Sequence, residues 1–117
     1  MSLLSVVLIG IVAFEHFYFL ILEMFLWTTP KGIKIFGLKS KQFAEDTKVL
    51  AANQGLYNGF LSVGLVFTLI KKNITIGILF LIFVIIAGIY GAYSTKQIKL
   101  FYFQSIPAIL ALITLFL

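Results

Sequence analysis

"LLSVVLIGIVAFEHFYFLILEMFLW", residues Leu3–Trp27, decides how the rest of the chain is read. At about 1.5 Å of rise per residue, a helix over this run is longer than the roughly 30 Å of hydrocarbon in a bilayer. The stretch is apolar enough to cross, yet it carries Glu15, His16 and Glu23. A cleaved secretory signal would begin with basic residues and end at a small-residue site, whereas "MSLLSVVLIG" has no Lys or Arg and the apolar run continues to Trp27. It therefore reads as a retained span.

The same character extends along the chain. Of 117 residues, 62% are hydrophobic and only 11% charged, with a mean hydropathy of +1.13, far from the balance of a water-soluble domain. Runs of membrane-crossing length fall at 3–27, 49–70, 74–93 and 98–117. The expected fold is all-α: a polytopic membrane protein whose residues 1–117 form a single four-transmembrane-helix bundle. "TTPKG" closes the first span, "KKN" makes a tight turn after the second, and "STKQIK" separates the last two. The connector 28–48 mixes apolar residues with lysines. It either lies along the headgroups and caps the bundle or forms a solvated basic loop, with Ser40 placed to cap a second helix that begins before the membrane.

Every basic residue is lysine, and the formal charge is +5. In a soluble protein that balance would suggest nucleic acid. Here placement argues for the lipid bilayer as the partner. Lys31, Lys34, Lys39, Lys41 and Lys48 share a side with Lys96 and Lys99, against Lys71 and Lys72 on the other. The positive-inside rule then puts the first and third connectors in the cytoplasm and both termini outside. Cysteine is absent, which removes disulfides, thiolate metal sites and cysteine nucleophiles.

Stepping about 100° per residue along the second span, Asn53, Gln54, Tyr57 and Asn58 fill one arc, and Ala51, Ala52, Gly55, Gly59 and Ser62 the next. The remaining stripe, Val49, Leu56, Phe60, Val63 and Phe67, is expected to face lipid. Small pairs such as Gly55/Gly59, Gly88/Ala92 and Ala87/Gly91 let helices approach closely, within the bundle or in a homo-oligomer built through these Gly/Ala faces. On the fourth span Gln104 shares a face with Ala108 and Ala111, and Pro107 raises the question of a kink.

Depth groups the polar residues. Glu15 and His16 sit mid-span, and Glu23 lies roughly 12 Å further toward the cytoplasm. An antiparallel second span puts Asn53 near Glu23, and Asn58 near Glu15 and His16. Tyr90, Tyr93 and Gln104 fall in the same half. His16 and Glu23 point within about 20° of one another, with Glu15 turned roughly 80° to 100° away. A charge facing lipid at that depth would cost several kcal/mol, so these groups should face the bundle or a wet cavity. Glu15, His16 and Glu23 are the proton-transfer candidates. Trp27, Asn53, Gln54, Tyr57, Asn58, Tyr90 and Gln104 are the ligand-binding candidates around them. Metal is not expected, because the adjacent pair diverges and the third carboxylate is two turns away. Nor is any cofactor, since nothing besides His16 marks a haem pocket.

The stretches "FEHFYFLILEMFLWTTPKGIKIFGL", "FAEDTKVLAANQGLYNGFL", "AGIYGAYSTK" and "QSIPAILAL" resemble, in order and spacing, the small bacterial membrane proteins grouped as domain-of-unknown-function family 1304. The resemblance covers nearly the whole chain. It implies four spans in a bacterial cytoplasmic (inner) membrane and no established activity. The family's characteristic polar positions fall on Glu15, His16, Glu23, Asn53, Gln54, Tyr57 and Asn58, which coincide with the cluster reached from helix geometry.

Three functional readings stand at this point. The cluster is a cytoplasm-facing pocket that binds or transports a small apolar molecule with proton coupling, which in a chain of four short helices requires an oligomer. Alternatively, it is the acid–base site of a membrane-embedded, isomerase-like enzyme acting on a lipid or isoprenoid. In the third reading the cluster only fixes the fold of a structural subunit.

Overall fold

The computed structural model describes residues 1–117, and every regular element in it is helical. The elements are α1 (Leu3–Phe25), α2 (Pro30–Phe36), α3 (Lys41–Lys71), α4 (Ile74–Thr95), a π-helical turn (Phe101–Ser105) and α5 (Ile106–Thr114). The expected all-α class is observed. Two helices, α1 and α4, are long and apolar enough to cross a membrane, by length and composition. Helix α3 is longer than either at 31 residues, but Asn53, Gln54 and Asn58 interrupt its apolar run. The apolar helix Phe101–Thr114 is shorter than a typical span.

Contacts divide the chain into two compact units, Glu15–Phe60 and the remainder, Met1–Phe14 with Leu61–Leu117. In the latter, Ile9, Val12, Ala13, Leu65, Leu81, Val84, Ala108 and Ala111 form the buried core. Buried hydroxyls fix its register. Ser5 Oγ donates to Thr114 Oγ1 at 2.8 Å, Ser62 Oγ to the Ala13 carbonyl at 2.8 Å, and Ser105 Oγ to the Ile85 carbonyl at 3.0 Å. Such bonds between helices are directional where apolar packing is not. Gly88 lies so close to the π-helical turn that a Cβ there would stand 3.0 Å from Gln104 Cβ. Gln104 thus packs on α4.

The turns follow from local chemistry. Asn73 caps α4 by accepting the Ile76 N–H at 3.0 Å, after Lys72 has turned the chain through the left-handed region at φ 51°. Lys96 ends α4 the same way at φ 58°. Ahead of Pro107 the helix widens. Proline has no N–H and its ring crowds the carbonyl four residues back. The turn over Phe101–Ser105 relieves this with i→i−5 bonding, the Ile106 N–H reaching the Phe101 carbonyl. A widened turn is the observed answer to the question Pro107 raises.

In the other unit the long connector holds a helix that was not anticipated. Thr29 caps α2 by accepting the Gly32 N–H at 3.3 Å, Pro30 opens it, and Gly37 at φ 62° closes it. Gly32 is buried against the end of α1, where a Cβ would meet the Trp27 carbonyl oxygen at 2.9 Å. Trp27 packs on Phe36 at 4.9 Å between ring centroids, and Lys31 Nζ lies 5.3 Å over the Tyr18 ring. Ser40 does cap α3, accepting the Phe43 N–H at 2.9 Å.

Candidate functional site

Within Glu15–Phe60, the sequence of α3 lets its backbone come very close to α1. A Cβ on Gly55 would meet Met24 Cγ at 2.7 Å and Glu23 Cβ at 3.1 Å, and one on Gly59 would meet Leu20 Cδ1 at 2.5 Å. The expected small-residue face is therefore used inside the chain. Between these glycines stands Asn58, 6% exposed, whose Nδ2–H donates to Oε1 of Glu23, 7% exposed. The register differs from the expected one, in which Asn58 lay level with Glu15 and His16. Seating Gly55 on Met24 and Gly59 on Leu20 fixes Asn58 one to two turns nearer the α2 end of α1.

His16 is fully buried, with its ring set edge-on to Phe19 at 5.4 Å between centroids. The neighbouring Glu15 places Oε1 4.0 Å from His16 Nδ1. The adjacent pair thus converges through its side chains, although helix geometry separates their Cα–Cβ directions. Glu15 Oε1 is buried and makes no hydrogen bond, unlike the Glu23 carboxyl. One helix presents two distinct acids: one held by an amide, the other beside an imidazole with an acceptor atom to spare.

The remaining candidates disperse. Asn53, Gln54 and Tyr57 are exposed, because the Gly55/Gly59 contact turns only the Asn58 edge of their shared arc inward. Trp27 is held at the α1–α2 junction, its Nε1–H donating to Thr47 Oγ1 at 3.0 Å. Tyr90 is exposed and Gln104 half-buried, both in the other unit. The anticipated stripe Val49, Leu56, Phe60, Val63 and Phe67 is exposed throughout. Thr47 was missed as a site-supporting residue, although its place on α3 one turn below Ala51 was a usable signal. No three His, Asp or Glu side chains converge in a way that could hold a metal ion. Carboxyl and imidazole side by side in an apolar surround can exchange a proton or hydrogen-bond a polar group on an otherwise apolar ligand.

The model of the family described as "Protein of unknown function (DUF1304)" matches residues 10–116. A protein from Lactococcus lactis subsp. lactis, described as "Uncharacterized protein YpaA", is 31% identical over 119 residues, covering 99% of each chain. No solved structure matches. A family match over almost the whole length, including all of Glu15, His16, Glu23 and Asn58, establishes that the chain belongs to DUF1304.

Proposed function

We propose that this is a four-span protein of the bacterial cytoplasmic membrane whose Glu15–His16 pair forms the proton-handling wall of a site for a small apolar molecule, opening toward the cytoplasm. The inverted pattern of burial supports the membrane placement. Ser5, His16, Glu23, Asn58, Ser62, Thr68 and Ser105 are buried, while large apolar side chains such as Leu3, Phe14, Val63, Ile86 and Phe103 are exposed. Water would penalise that surface, and hydrocarbon accepts it. In this reading α3 from about Val49 and the segment from Ile98 supply the second and fourth spans, and the lysine distribution supplies the orientation.

The single observation that carries the site is the buried Glu15 Oε1 that takes no hydrogen bond, 4.0 Å from the imidazole of His16. Carrying the ligand across requires more than one copy of so small a bundle. Exposed Asn53, Gln54 and Tyr57 on α3 support a second copy there, since amides and a phenol lack partners in lipid. The same Glu15–His16 proximity also supports a second reading, acid–base isomerisation of a lipid or isoprenoid. Mass spectrometry of the protein ejected from its own membrane tests both. The expected result is an oligomer carrying a non-phospholipid mass that Glu15→Gln loses. An oligomer-free chain with bound compound favours the enzyme, and a ligand-free monomer overturns the proposal.

A further inference from the structure

A second feature lies away from these acids, within the unit that holds α4. Ile89, Ala92, Tyr93, Lys96, Ile98 and Phe101 line an open groove of about 570 Å³, within the size range of small-molecule sites. Its composition is graded. Ile89, Ala92, Ile98 and Phe101 make an apolar wall, and Tyr93 and the Lys96 ammonium stand with it where α4 ends. Tyr93 is 81% exposed and Ile98 61%, so the groove opens on the outer surface of the chain.

Charge complementarity names the occupant. Lys96, which ends α4 at φ 58°, is the one cation among the lining residues, and it stands beside an otherwise apolar wall closed by Phe101, the first residue of the π-helical turn. An apolar trough ending in a cation on a membrane-facing surface matches an amphiphile with an anionic head.

We propose that this groove seats one acyl chain of an anionic phospholipid from the bilayer, with the lipid phosphate against the Lys96 ammonium. The seat rests on the membrane placement above and is independent of Glu15 and His16. Only charge pairing and apolar burial are involved, and no bond is made or broken.

The test is a titration of the full chain in detergent with phosphatidylglycerol and with phosphatidylcholine of identical acyl chains, read by native mass spectrometry. The expected preference for phosphatidylglycerol is about fivefold, the size of one lysine's contribution beside an anionic lipid surface. Lys96→Gly should abolish it while keeping the left-handed turn. Lys72→Gly makes the same backbone change at φ 51° and should leave the preference intact. Ala92→Trp, which fills the trough, should weaken both lipids. Equal binding of the two lipids by the unaltered chain overturns the seat, as does an equal loss in Lys72→Gly or undiminished binding in Ala92→Trp. A chain released from membranes by an alkaline wash has no bilayer to draw from and overturns the membrane placement as well.

Discussion

Glu15 and Glu23 are two acids on one helix with different surroundings, and the roles proposed for them differ accordingly. Glu23 is held by Asn58 in a buried pair. Asn58→Ala leaves a buried carboxyl oxygen without its donor, a loss of about 1–3 kcal/mol, seen as a lower thermal midpoint. Glu15 Oε1 accepts no hydrogen bond, so Glu15→Gln removes an ionisable group and breaks no such bond at that atom. Its thermal midpoint should stay close to the unaltered protein's while the bound compound is lost. A large drop in midpoint with the compound retained would make Glu15 part of the scaffold. Both acids were legible in the sequence as ionisable groups inside an apolar run. Their separate partners were not, because these depend on which turn of α3 faces α1.

That facing is decided at the level of the element, by glycine. Gly55 and Gly59 bring α3 onto Leu20 and Met24, which buries Asn58 and leaves Asn53, Gln54 and Tyr57 exposed. A Cβ at Gly55 would stand 3.1 Å from Glu23 Cβ and 3.2 Å from the Leu20 carbonyl oxygen, so a larger side chain there must push the helices apart. Gly55→Val should therefore destabilise by about 1–3 kcal/mol, the cost typical of overpacking. Gly91 is the control: its added Cβ would make an ordinary 3.7 Å contact with Leu100 Cδ1. Gly91→Ala should hold or raise the midpoint, since alanine is favoured over glycine in a helix by about 1 kcal/mol. The sequence reading found the small faces and the apolar stripe but could not tell the inward polar residue from its outward neighbours. All four share one broad arc, and only the contact distance separates them. Helix α2 was passed over although Thr29, Pro30 and Gly37 signal its start and end, because Pro30 was taken as the stop of the first span. The widened turn before Pro107 has no sequence signature beyond the proline itself.

At the scale of the molecule the inverted distribution of polar and apolar side chains supports lipid as the solvent, and the lysine distribution is the basis of the proposed direction of insertion. The absence of cysteine makes that direction directly testable with single introduced thiols. Lys34→Cys should react with a membrane-impermeant reagent only in inside-out vesicles, and Lys72→Cys only in right-side-out ones. Reaction of both from one face would break the four-span arrangement. The most direct test of the site itself is the same chemistry at Glu15→Cys, using a small charged thiosulfonate. A pocket open to the cytoplasm gives labelling in inside-out vesicles alone. Labelling from the opposite face, or only by a reagent that dissolves in lipid, would contradict a cytoplasm-facing site at Glu15.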